Sequence, residues 1–165
     1  MSITFEMMDI IHRRSIMDIF DYYVQNSTAA FPAILPNHFF GMLMGKRRGY
    51  PAYAVLDSDK LKVVGFCLLS AYSPFSTFKQ TATISYFISP DHIGQGIGEQ
   101  CLEKLETEAI RMGIKIIIAE ISSENHPSLK FHQKHGFKTC GALKNIGNKF
   151  DRNFDVVYMQ KDLSN

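Results

Sequence analysis

Residues 81–121, TATISYFISPDHIGQGIGEQCLEKLETEAIRMGIKIIIAEI, decide the fold, because a strand, a long helix and a second strand follow one another within them. Thr81 to Ile88 is rich in β-branched and aromatic residues and reads as a strand. From Gly96 to Met112, residues Ile97, Cys101, Leu102, Leu105 and Ala109 recur at helical spacing, with Glu99, Glu103, Glu106 and Glu108 on other faces. Arg111 in the last turn and Gly113 just past it suit the negative end of the helix dipole and a left-handed cap. Ile114 to Ile121 is almost continuously apolar and β-branched, the pattern of a strand covered on both faces. The three make a βαβ unit with parallel strands and a right-handed crossover.

Upstream, Ile3 to Met8 predicts a short strand. Ser15 to Asn26 predicts a helix, capped by its serine, that turns Ile16, Ile19, Phe20, Tyr23 and Val24 to one side. NSTAAFPAILP then reads as a loop and NHFFGMLMGKRR (37–48) as a weaker second helix. YPAYAVLD and Lys62 to Ser73 are β-rich and joined by the polar turn Asp57-Ser58-Asp59-Lys60, which predicts an antiparallel hairpin. Downstream, a short helix opens at Pro127 and stops at Gly136, and FKTCGALKNIG and FDVVYMQKDL close the chain as two strands. Antiparallel strands, a parallel pair around one helix and a terminal hairpin define a mixed-sheet α/β (α+β) domain. No repeat, low-complexity tract or linker divides the 165 residues, which read as a single domain.

The apolar fraction of 45% and charged fraction of 21% are those of a soluble globular protein, and a net charge of +2 leaves no nucleic-acid footprint. No run approaches the roughly 18 apolar residues of a membrane span, and MSITFEMMDIIHRR carries acidic residues where an export signal would be basic, so a cytoplasmic protein is expected. Cys67, Cys101 and Cys140 are far apart, outside any C-x-x-C pair, and read as small buried thiols. The six histidines show no metal-ligand spacing, and no metal is expected.

Gly94, Gly96 and Gly98 lie between the strand and the long helix. Glycines there admit left-handed angles and bring bare amides to the positive helix end, which favours a phosphate or pyrophosphate; a turn that binds nothing is the plain alternative. A Walker loop is absent, since GMLMGKRR is one residue short and lacks the hydroxyl. The dinucleotide fingerprint also fails, because Glu99 stands at its third glycine and Ser89 to His92 lengthen the turn.

What remains is x-x-G-x-G opening a helix after a Pro-containing turn, with Asn125-x-x-Ser128 and His135-Gly136-Phe137 downstream. This arrangement resembles motif A of the GNAT N-acetyltransferase superfamily, usually Gln/Arg-x-x-Gly-x-Gly/Ala, here with Ile93 at the first position. NSTAAF, SAYSPF, SYFISPDHIGQGIG, NHPSLKFHQKHGF and DVVYMQ are similar, in order, to segments of its phosphinothricin N-acetyltransferase-like branch, over about Ile3 to Leu163. The resemblance implies a mixed, mostly antiparallel sheet with a central parallel strand pair, flanked by helices. It further implies acetyl-CoA as acetyl donor, direct transfer to the amino group of a small amino-acid-like acceptor, and a homodimer.

By the same resemblance, Tyr86, Phe87 and Ile88 splay from the neighbouring strand to meet the pantetheine arm. Gly94, Gln95, Gly96, Ile97, Gly98 and Glu99 surround the pyrophosphate, and Asn125, Ser128 and His132 line the cofactor further along. His132 stands where the branch places a proton donor for the leaving thiolate; a packed or cofactor-contacting imidazole is the other reading. Thr83 occupies the position of the branch's general-base Glu and cannot serve as one, so the base is left open. Phe31, Phe75, Ser76 and Thr77 match acceptor-contacting segments, with Ser76 where a basic residue is frequent. Phe39, Phe40 and Tyr72 read as core or as pocket lining. Two other functions fit these departures: an acyl-CoA-binding sensor without turnover, and a peptide N-terminal acetyltransferase.

Overall fold

The computed structural model describes residues 1–47 and 49–164, in which seven strands form one sheet. Strands β1 (Ile3–Met7), β2 (Ala52–Asp57), β3 (Lys62–Ala71) and β4 (Thr81–Ile88) pair antiparallel in chain order. Strand β5 (Ile116–Ser122) joins β4 in parallel, and β6 (Lys138–Lys149) and β7 (Arg152–Asp162) complete the order β1-β2-β3-β4-β5-β7-β6. The expected mixed sheet with one parallel pair is therefore observed.

Alternation along the strands builds a core on each face. Helices α1 (Arg13–Asn26) and α2 (Phe39–Arg47) cover one face, where Ile16, Phe20, Phe39 and Phe40 meet Phe66 and Leu68. Helix α3 (Ile97–Arg111) covers the other, where Ile97, Leu102 and Leu105 meet Cys67, Leu69 and Ile117. Helix α4 (His126–Lys134) sets Leu129 and Phe131 against the edge of that second core. Helix α3 ends as its sequence suggests: Gly113 has φ +80°, its N–H reaches Ile110 O at 3.1 Å and that of Ile114 reaches Ala109 O at 2.9 Å. That closure uses Ile114, so β5 begins two residues later than expected.

The feature that positions the site is a break in the sheet. Parallel pairing runs Thr81↔Ile116, Ala82↔Ile117 and Thr83↔Ile118 and then stops, although β4 continues to Ile88 and β5 to Ser122. Beyond Thr83, β4 stays paired with β3, from Ile84↔Leu69 to Ile88↔Gly65. Its other edge faces an opening gap.

Several local expectations are revised. Helix α1 is not capped by Ser15: Asp9 accepts from Ile10 N at 2.7 Å, and Asp9 N donates to His12 Nδ1 at 3.0 Å, a reciprocal cap ahead of the helix. Histidine in place of the usual Glu or Gln hid that cap. Strand β5 is fully covered on one side, where Ile117, Ala119 and Ile121 are buried. Its other side is covered only in part, with Ile116 and Ile118 half-buried, Ser122 buried beside Thr28 and Glu120 exposed, because α1 and α2 do not reach β5. Cys67 and Cys101 are buried, whereas Cys140 is exposed on the edge strand β6. Strand β7 is paired on both sides, so the free edge at this end belongs to β6. Phe39 and Phe40 are core residues, and Tyr72 is exposed. Arg48, at the end of the expected second helix, lies outside the described residues. No described helix is long and apolar enough to cross a membrane.

Candidate active site

From β4 the chain passes through a single 3-10 turn at Pro90–His92 to Gly94 and Gly96, both left-handed with φ of +77° and +79°. A Cβ at either glycine would meet nothing within 4 Å, so conformation rather than crowding demands glycine here. Gly96 is the N-cap of α3 and no side chain caps the helix; the first bond runs from Gln100 N to Gly96 O at 3.2 Å. The amides of Ile97, Gly98 and Glu99 thus lack helical acceptors and, with the positive helix end, suit an anion. Beside them His92 is buried, and its Nδ1 lacks a hydrogen-bond partner among the described residues. A buried polar atom of this kind fits a site that a ligand completes.

A cleft of about 600 Å³ runs from this turn along the gap between β4 and β5 to α4. Tyr86, Phe87 and Ile88 line it, as do Gly94, Gly96, Ile97, Gly98 and Glu99 at one end and Asn125, Ser128 and His132 at the other. Gln95 does not: its side-chain amide folds back to the carbonyl of Asp91 at 3.5 Å. Asn125 caps α4, accepting from Ser128 N at 3.3 Å, which sets the helix that carries His132.

His132 is buried and its two ring nitrogens have different partners. Nδ1 lies 2.7 Å from the carbonyl of Ser128, an acceptor only, so this nitrogen carries the proton. Nε2 is then the acceptor for the Tyr86 hydroxyl at 2.5 Å. Burial holds the imidazole below its ordinary value; the Ser128 carbonyl opposes this and His135 adds to it. Burial likewise pushes the Tyr86 phenol far up, with Cys101, Glu106 and Cys67 contributing. Both causes favour a neutral phenol bonded to a neutral imidazole over the ionised pair. The Tyr23 hydroxyl, bonded to the carbonyl of Ile88, fixes the far end of β4.

The acceptor-side residues are not gathered into this cleft. Thr83 points to the opposite face from Tyr86 and is occupied by Ser70, whose hydroxyl lies 2.5 Å away. Phe31 stacks on Phe154 with centroids 6.2 Å apart, while Phe75, Ser76 and Thr77 sit in an exposed turn after β3. The loop after α1 is tied to the terminal strands instead. Thr28 Oγ1 lies 2.7 Å from Ser122 Oγ and donates to Glu124 at 3.0 Å, and Arg152 grips Glu124 through two bonds of 2.7 and 2.9 Å. Lys149, its amine held below the ordinary value by burial, donates to the carbonyls of Ser27 and Ala30 at 2.6 and 2.7 Å.

Sequence reasoning missed the Tyr86–His132 bond and the unpartnered His92, and it met Glu120 only as the acidic residue a dinucleotide fold would require, not as part of the cleft it lines. The signal for Glu120 was present, since one carboxylate interrupts the apolar run of β5. The Tyr86–His132 bond joins residues 46 apart and left none. Among the described residues no three His, Cys, Asp or Glu side chains come together as a metal site requires.

Comparison with known proteins agrees with this geometry. A family model described as Acetyltransferase (GNAT) family matches residues 16–137. An L-methionine sulfoximine/L-methionine sulfone acetyltransferase of Pseudomonas paraeruginosa is 31% identical over 90% of this chain and 87% of its own. A phosphinothricin N-acetyltransferase of Alcaligenes faecalis is 32% identical over 91% and 77%. A solved phosphinothricin acetyltransferase of Sinorhizobium meliloti, in complex with acetyl-CoA, superposes with a TM-score of 0.89 at 27% identity, covering 98% of this chain and 89% of that one. With the sheet break, the bare-amide turn and these matches in agreement, the chain belongs to the acetyltransferase (GNAT) family.

Proposed function

We propose that this protein moves the acetyl group of acetyl-CoA directly onto the amino group of a small, amino-acid-like acceptor. The observation that carries the reading is the end of β4–β5 pairing at Thr83↔Ile118, in the same cleft as the bare-amide turn at Gly94 and Gly96. A ligand with a diphosphate at one end and an extended amide-bearing arm matches both features. The amides of Ile97, Gly98 and Glu99 receive the diphosphate charge, and the open edge of β4 pairs with the arm and polarises the acyl carbonyl through a backbone N–H. Acetyl-CoA supplies the activated acetyl group as a thioester. The relatives named for methionine sulfoximine and phosphinothricin support an amino-acid-like acceptor.

The acid expected at His132 acts, on this geometry, through Tyr86. Neutral His132 carries its proton on the Ser128 side and holds the phenol by Nε2. Tyr86 has one O–H, so as the thiolate develops the hydroxyl turns from His132 Nε2 to the sulfur. A phenol whose ionisation is made harder by burial acts there as a hydrogen-bond donor, since outright proton transfer would run uphill. Before transfer His132 holds the Tyr86 hydroxyl in place, and during transfer that hydroxyl stabilises the leaving group.

Release of free thiol from acetyl-CoA, followed with L-methionine sulfoximine, phosphinothricin, free amino acids and short peptides, tests the reading. Amine-dependent release with the amino-acid-like compounds is expected. Acetyl-CoA binding without release would favour the sensor, and release with peptides alone would favour N-terminal acetylation. The cytoplasmic setting and the homodimer belong to the same proposal. For the dimer the support is the open edge of β6, where Leu143 and Ile146 are 48% and 57% exposed, and sedimentation should return twice the 18.8 kDa chain mass.

A further inference from the structure

An acceptor amine is an ammonium at neutral pH and must lose a proton before it can attack, so the transfer reading requires a base within the cleft. The ionisable groups facing the cleft can be taken in turn. His132 and Tyr86 are committed to each other, and Tyr23, bonded to Ile88, has its phenol pushed up to about 12 by burial. His92 and Glu99 flank the glycine turn, where the diphosphate charge belongs. Lys134 and His135 close the other end of α4, where the His135 ring packs against Phe131 with centroids 4.4 Å apart. Glu120 is left.

Its position is set by strand register. Thr83 pairs with Ile118 in the parallel ladder, so the two share a face, and Glu120 is the next residue of β5 on that face. It therefore stands across the opening gap from Ser85, the next residue of β4 on the same face, and both line the cleft. Glu120 is exposed there because neither α1 nor α2 covers β5. Among the described residues it makes no ion pair, whereas Glu124 is held by Arg152 and Asp155 by Lys144. On its other side it is paired with Tyr158, whose phenol is pushed up by partial burial, then by the charge of Glu120 and by a hydrogen bond to that carboxylate. That bond steadies Glu120 and leaves it acceptor capacity for an ammonium.

We infer that Glu120 binds the acceptor's ammonium and is the base of the reaction, at a place on β5 that compensates for the threonine on β4. The inference rests on the transfer reading above. The ammonium gives one proton to a Glu120 oxygen, directly or through one water, and the freed lone pair forms the N–C bond at the acetyl carbon. The C–S bond breaks with its electron pair on sulfur. The surplus proton on nitrogen passes to that sulfur, and Glu120 releases its own proton to water, so each turnover releases one proton.

Three variants test this: Glu120→Gln, Glu120→Asp, and Glu120→Gln combined with Thr83→Glu. Each is assayed with the best acceptor of the amine panel and with hydroxylamine, which is already unprotonated at neutral pH. Glu120→Gln should lower turnover of the amine about 10²–10⁴-fold while costing hydroxylamine at least tenfold less, with Glu120→Asp intermediate and Thr83→Glu recovering part of the loss. Independently of turnover, the unfolding midpoint with unacetylated coenzyme A should rise further on adding the acceptor in the wild type. In Glu120→Gln the coenzyme A increment should remain and the acceptor increment should disappear. Equal effects on both nucleophiles, or an unchanged acceptor increment, would overturn the assignment of Glu120. A wild type that releases no thiol with any amine would instead overturn the transfer reading itself.

Discussion

At the scale of single residues, His132 shows how burial and hydrogen bonding fix a protonation state that residue type alone leaves open. Its imidazole is kept neutral mainly by burial, so its folded value lies below the ordinary one of about 6.5. The unfolded chain then binds the proton more readily. The stability associated with neutral His132 is fully present above about pH 6.5 and is lost as pH falls through the folded value. Unfolding midpoints measured across this acid range should fall less steeply for His132→Gln than for the wild type; identical slopes would mean the imidazole is not held neutral. Tyr86→Phe removes the hydroxyl that meets Nε2 and should cost about 1–3 kcal/mol by chemical denaturation, since the buried acceptor is left unmatched. It should also lower kcat with little change in the midpoint shift caused by acetyl-CoA.

At the scale of elements, the glycine turn separates conformational need from space. Gly94 and Gly96 have positive φ, whereas Gly98 lies inside α3 with the Phe131 ring at an ordinary 3.7 Å from a built Cβ. Gly96→Ala should therefore cost about 1–2 kcal/mol and weaken acetyl-CoA binding, while Gly98→Ala should leave the unfolding midpoint nearly unchanged. An equal loss in both variants would mean that the turn is not held left-handed. This element was legible in the sequence because local chemistry decides it: a strand, a turn that only glycine fits, and a helix with a clear apolar stripe. The reciprocal Asp9–His12 cap and the incomplete cover of the Glu120 face of β5 were not legible. The first depends on an unusual cap residue, and the second on how far α1 and α2 reach across the sheet.

At the scale of the whole molecule, the glycine-turn half of the cleft lies within one βαβ unit and α4, whereas the half proposed to take the acceptor draws on distant parts of the chain. Lys149 at the end of β6 holds the carbonyls of Ser27 and Ala30, about 120 positions upstream, and so fixes the loop that borders the cleft. Lys149→Met should leave two carbonyls without their donor, cost about 1–3 kcal/mol, and raise KM for the acceptor while the response to acetyl-CoA stays. For the same reason the acceptor residues expected from the sequence, Phe31 and Phe75 to Thr77, are not brought together with the cleft, while Glu120 and Tyr158 become neighbours only through strand register. Side-chain spacing along the chain carries no record of such pairings.

The central claim is that the broken β4–β5 ladder and the turn at Gly94 to Gly98 form a coenzyme A site. Its most direct test is the thermal unfolding midpoint measured separately with acetyl-CoA, coenzyme A and NAD. Both coenzyme A forms should raise the midpoint, by an amount equivalent to about 2.7 kcal/mol at roughly a hundred times the dissociation constant, and NAD should not. A midpoint that ignores both coenzyme A forms, or rises equally with NAD, would contradict the account.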